Sequence, residues 1–143
     1  MTEILGAAPR YPSPEALAQA LDTLAAELGT RGKELTLVFV NDEEIHALNL
    51  EHLGVDKATD VLSFPLFELT DEGVPDVPHL GDVVISLETA QRQADAAGHS
   101  LETEVATLAA HGLTHLLGFD HPTEETWAVF RRNQTRMLAL LSR

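Results

Sequence analysis

Along the first fifth of the chain the apolar positions Leu17, Leu21, Leu24 and Leu28 recur three or four residues apart, which marks one buried stripe of an α-helix. Ser13-Pro14-Glu15 precedes the stripe as cap, first helical residue and acidic first turn, and Gly29 stops it. The pattern then changes. Leu35 to Val40 is short and nearly all apolar, as in a strand covered on both faces. Asn41 caps a helix carrying Ile45 and Leu48, Asp60 to Phe64 reads as a second strand closed by Pro65, and Asp82 to Ser86 reads as a third.

Leu66 to Leu80 is rich in Pro, Gly and acidic residues and reads as a loop that has room for a hairpin. Three helical patterns follow, at Glu88 to Ala97, Glu102 to Leu117 and Glu124 to Leu141. In the last of these Trp127, Phe130, Met137, Leu138 and Leu141 share the apolar stripe. The expected class is α+β, a small mixed and mostly parallel sheet with about five helices, in which one antiparallel edge strand is allowed. With 143 residues and no internal repeat or linker, residues 1–143 are expected to form one domain. The order of the strands is not readable from the pattern.

Composition narrows the chemistry. Cysteine is absent, which excludes disulfides and zinc-thiolate sites and leaves histidine and carboxylate as the strong metal ligands. The N-terminus lacks the basic start and apolar run of an export signal, and no stretch of about 18 apolar residues occurs. A cytoplasmic protein with no membrane partner is expected. The net charge of −14 opposes phosphate binding on average. Yet Arg131, Arg132, Arg136 and Arg143 fall in the last thirteen positions, which hold no Asp or Glu. These arginines read either as cations complementing a helix C-terminus or as a local basic strip.

The segment that carries chemistry is His111-Gly112-Leu113-Thr114-His115-Leu116-Leu117-Gly118-Phe119-Asp120-His121. Histidines four apart on a helix share a face, so their imidazoles can converge on one ion. Gly118 suits a helix stop, after which the chain can return His121 to the same point. Three imidazoles leave one tetrahedral position for water, the arrangement of catalytic zinc. One zinc per chain on His111, His115 and His121 is therefore expected, and His46, His52, His79 and His99 are not expected to join it. The spacing also matches the metzincin peptidases, but Gly112 stands where their general-base glutamate belongs.

This segment resembles the signature of the YbeY endoribonuclease family, H-G-x-L-H-L-x-G-aromatic-D-H, with Thr114 replacing a leucine. The likeness extends through Glu34 to Val40, Asn41 to Ile45 with Leu48-Asn49, Lys57 to Pro65, and Leu80 to Ser86. It covers roughly Glu34 to Leu141. The resemblance implies a fold distantly like the zincins, with a zincin-like metal-site helix. It further implies a zinc-dependent single-strand endoribonuclease that matures small-subunit ribosomal RNA and acts in ribosome quality control. Its expected partner is ribosomal RNA or the small ribosomal subunit. One position departs: where the family carries approximately Y-R-G-K-D-K, this chain has His52-Leu53-Gly54-Val55-Asp56-Lys57, and leucine cannot pair with phosphate as arginine does.

Candidates for placing substrate or orienting the metal ligands are Lys57, Asp60, Ser63, Asp120, Arg132 and Arg136. Ligating histidines usually donate their second N–H to a carboxylate or carbonyl, a role open to Asp60, Ser63 and Asp120, whereas Lys57 and the arginines suit phosphate. Two other functions stay open: a ribosome-assembly factor with a structural or vestigial zinc site, for which Leu53 speaks, and a zincin-like metallopeptidase, against which Gly112 speaks.

Overall fold

The computed structural model describes residues 2–6, 14–30, 33–66, 79–119 and 123–142. In chain order the elements are β1 (Thr2–Gly6), α1 (Pro14–Glu27), β2 (Glu34–Val40), α2 (Asp42–Leu53), β3 (Val61–Pro65), β4 (His79–Ser86), α3 (Leu87–Ala97), α4 (Leu101–Leu116) and α5 (Glu124–Leu141). The strands form one sheet of order β1-β2-β4-β3. β1, β2 and β4 run parallel, and β3 pairs antiparallel with β4 at the edge. This is the expected α+β class. Pro65 is tolerated because an edge strand leaves one row of N–H groups unpaired.

Alternation along β2 sorts the helices into layers. Leu35, Leu37 and Phe39 point into the main core with Leu17, Leu21 and Leu24 of α1, Val105, Ala109 and Leu113 of α4 and Met137 of α5. Val40 joins Leu62, Val84 and Ile45 of α2 in a smaller cluster on the other face, against which Val38, Leu48 and Phe64 pack. So β2 is covered on both faces, although its second face is only partly buried at Thr36 and Val38. The predicted cap of α2 forms as a reciprocal box. Asn41 Oδ1 accepts from the Glu44 N–H at 2.8 Å, and Glu44 Oε1 accepts from the Asn41 N–H.

Two strands differ from expectation. β1 is an additional strand whose single neighbour among the described residues is β2; five residues with weak alternation carry too little periodicity to announce it. β4 begins at His79 rather than Asp82, because an irregularity where Glu34 pairs with His79 and Leu35 with Gly81 breaks the period of two. The hairpin allowed within 66–80 and the Ser13 cap fall on or depend on residues outside those described. Among the described residues no helix is long and apolar enough to cross a membrane.

Candidate functional site

α4 is the central helix, and its buried residues lie on most sides of it. It approaches the sheet at Gly112: a Cβ built there would lie 2.5 Å from Val83 Cγ1 and 3.3 Å from Ser63 Oγ. The glycine is required by packing. The peptidase glutamate has no room at this position, and Ser63 Oγ uses the closeness to donate to the Gly112 carbonyl at 3.0 Å.

One turn of α4 separates His111 from His115, and their Nε2 atoms approach to 3.1 Å. Two ligands of one ion at about 2.0–2.1 Å with a tetrahedral angle lie roughly 3.3 Å apart, so the pair is set close to ligating geometry. The Nδ1 atoms face the protein. His115 Nδ1 donates to the Phe119 carbonyl at 3.0 Å, which places the proton on Nδ1 and leaves the Nε2 lone pair toward His111. His111 Nδ1 lies 3.4 Å from the amide of Gln134 on α5, and a half-turn of that amide presents its oxygen as acceptor. Phe130, fully buried, holds both rings from behind at centroid distances of 4.7 and 4.9 Å, and Trp127 lies 6.3 Å from His111. The pair also sits in the last turns of α4, where the helix dipole favours a cation.

His121 and Asp120 lie outside the described residues. Among the described residues no third metal-ligating side chain joins His111 and His115.

A cavity of about 430 Å³ opens beside the pair, lined by His111, His115, Leu53, Asp60, Val61, Leu62, Ser63 and Pro65. One wall is α4, another is β3, and Leu53 at the end of α2 also lines it. Gly54 in the left-handed conformation (φ 69°) ends α2 there. The buried Asn49 then ties down the following loop by donating to the Lys57 carbonyl at 2.9 Å. Asp60 Oδ1 accepts from the Val61 N–H at 2.8 Å and from Thr59 Oγ1 at 3.3 Å, and Oδ2 accepts from Gln93 at 3.3 Å.

The candidates named from sequence thus separate. Asp60 and Ser63 reach the cavity, but the hydrogen bonds described for them go to backbone, Thr59 and Gln93 rather than to an imidazole. That role falls to the Phe119 carbonyl and Gln134. Lys57 is exposed on the loop and does not line the cavity. Arg136 grips Glu27 of α1 through two hydrogen bonds, 2.9 and 2.7 Å, which raise its pKa above the ordinary value. It therefore joins α5 to α1 and is not among the residues that line the cavity. Arg132 is exposed and also outside the lining. Gln134 and Phe130 were missed as site residues because α5 announces only an amphipathic stripe; nothing in it says that the stripe ends on two histidines.

The arrangement can be set beside known proteins. The family model described as Endoribonuclease YbeY matches residues 12–142. This chain belongs to the YbeY family. It is 56% identical over 124 residues to the Endoribonuclease YbeY of Thermus thermophilus, covering 87% of this chain and 88% of that one. To that of Deinococcus radiodurans it is 53% identical over 126 residues, 80% of each. A Thermotoga maritima protein whose structure was determined in solution superposes with a TM-score of 0.69 at 25% identity, over 97% of this chain and 90% of the other.

The departure from the YbeY signature at Thr114 has a structural partner. Thr114 is fully buried, donates to the Ala110 carbonyl at 2.7 Å and accepts from Asn133 Nδ2 of α5 at 3.0 Å. Thr114 and Asn133 satisfy each other in the interior between the two helices that build the site.

Proposed function

We propose that this chain is a zinc-dependent endoribonuclease that cuts single-stranded RNA, acting in the cytoplasm in maturation of small-subunit ribosomal RNA and in ribosome quality control. The observation that carries the proposal is the convergence of His111 and His115 through Nε2 at the cavity beside β3, in a chain of the YbeY family. Their donor chemistry fits a metal, since His115 Nδ1 is already engaged and its Nε2 presents a lone pair. His111, His115 and His121 would hold one zinc ion, which with three imidazoles supplies Lewis acidity toward a phosphoryl oxygen and keeps one position open.

The chain's own residues prepare the reaction. Phe130 and Gln134 lock the orientation of His111, and the Phe119 carbonyl fixes the tautomer of His115. Ser63 ties α4 to the edge strand, so the histidines and the cavity move as one unit. Lys57 and Arg132 are the candidate phosphate contacts, and ribosomal RNA or the small subunit is the proposed partner.

A second reading, a ribosome-assembly factor with a structural or vestigial site, is favoured by one observation: among the described residues no Lys or Arg lines the cavity. The experiment offers purified zinc-loaded protein three substrates: precursor small-subunit RNA, small ribosomal particles and an unfolded protein. Zinc-dependent cuts in the RNA are expected. Stoichiometric binding to particles without cleavage supports the assembly factor, and proteolysis without RNA cleavage overturns the proposal.

A further inference from the structure

The cavity is better suited to a nucleobase than to a phosphate. Among the described residues its lining holds one carboxylate, Asp60, and no cation, so beyond the histidine pair these residues do not attract a phosphate. Its rim is apolar. Leu53 is 62% exposed, and four of the six exposed large apolar side chains among the described residues, Leu50, Leu53, Val55 and Leu66, lie on the two segments that bring Leu53 and Pro65 to the cavity. Asp60 is preorganised, with its carboxylate held by the Val61 N–H, Thr59 and Gln93. A carboxylate has about four acceptor sites, so three bonds leave it able to accept one more. The volume of about 430 Å³ lies within the range of about 300–1,000 Å³ typical of pockets for small ligands.

We infer that Leu53 and Asp60 form a nucleobase subsite beside the histidine pair, in which Leu53 packs on the face of a base and Asp60 accepts from its exocyclic amino group. The inference rests on the endoribonuclease reading and deepens it. The substrate class is single-stranded RNA with an amino-bearing base, such as cytosine or adenine, next to the cleaved phosphate; a paired strand hides both the face and the edge that the subsite reads. Leucine at position 53 then exchanges an electrostatic contact for an apolar one. Affinity gained there is insensitive to salt, which suits a chain of net charge −14.

The test is binding of zinc-loaded protein to labelled, slowly cleaved 2′-O-methyl phosphorothioate oligonucleotides, with a single abasic residue scanned through the sequence. Leu53→Ala is expected to weaken binding about five- to tenfold with no change in the slope of log affinity against log salt. The loss should vanish when one particular position is abasic. Asp60→Asn, nearly isosteric, is expected to reduce an approximately tenfold preference for cytidine over uridine at that position to less than threefold. Circular dichroism and zinc content report on the fold of both variants. A Leu53→Ala loss that is equal for every abasic position, or a cytidine preference unchanged in Asp60→Asn, overturns the subsite. If the unaltered protein cleaves RNA while these couplings are missing, the subsite alone fails. If it neither binds nor cleaves any single strand, the endoribonuclease reading fails first.

Discussion

Gly112→Ala is the smallest change that tests how the site is held together. The added methyl would sit 2.5 Å from Val83 Cγ1 and 3.1 Å from Cγ2, inside contact distance of a β4 side chain that is only 1% exposed. Overpacking of this kind costs about 1–3 kcal/mol. Replacing a mid-helix glycine by alanine returns about 1 kcal/mol. The net loss is therefore about 0–2 kcal/mol, and with a urea slope of about 2 kcal/mol/M the unfolding midpoint falls by up to about 1 M. Relief should come from the other side of the contact. In Gly112→Ala/Val83→Ala the two costs fall short of additivity by at least about 1 kcal/mol, since the new methyl occupies the space vacated by Val83. RNA cleavage should fall further than stability, because α4 must lift away from Ser63 and carry both histidines with it. If Gly112→Ala instead raises the midpoint, α4 does not approach the sheet at this residue and the packing account of the missing glutamate is wrong.

Three further outcomes follow from the same contacts. Asp42 is partly buried, which opposes its charge, but hydrogen bonds from Ser86 and Thr89 at 2.6 Å each and the bond and charge of Arg92 prevail, so its pKa lies below the ordinary 3.8. A depressed carboxylate stabilises the fold above its unfolded pKa and loses that contribution as pH falls through the folded value. Asp42→Asn should thus cost about 2 kcal/mol at pH 7, with the gap to the parent protein closing below about pH 4 in urea titrations; a gap independent of pH would contradict this. Gln134→Leu removes the partner of His111 Nδ1 and should weaken zinc binding about tenfold or more in chelator competition, whereas unchanged affinity would remove Gln134 from the site. Thr114→Leu should destabilise by about 2–3 kcal/mol by stranding the buried Asn133 amide, and Thr114→Leu/Asn133→Leu should recover most of that loss; equal stability of the single and double variants would refute the pairing.

What was readable from sequence divides along physical lines. α5 lies at its expected bounds, α1, α3 and α4 lie within a few residues of theirs, and α2 starts after its expected cap at Asn41, because an amphipathic stripe and local caps are written in neighbouring residues. β1 was not readable, since a five-residue edge strand draws its definition from β2, far along the chain. The histidine pair was legible because helical spacing fixes which side chains share a face. The surroundings of the pair were not. Gln134 and Phe130 meet His111 only through the packing of α5 on α4, and Leu53 shares its cavity only because α2 ends beside β3. Arg136 was equally unreadable in its surroundings: a row of arginines in sequence does not announce that this one pairs with Glu27 of α1.

The central claim is that three histidines of this chain place one metal ion for RNA cleavage, and the most direct measurement is a zinc titration of chelator-stripped protein followed by the rate of cleavage of a single-stranded RNA. The account predicts a rate that rises with added zinc and levels at one equivalent per chain, and loss of both binding and cleavage in His111→Ala, His115→Ala and His121→Ala alike. Cleavage that persists in stripped protein, or zinc binding that survives all three substitutions, would contradict it.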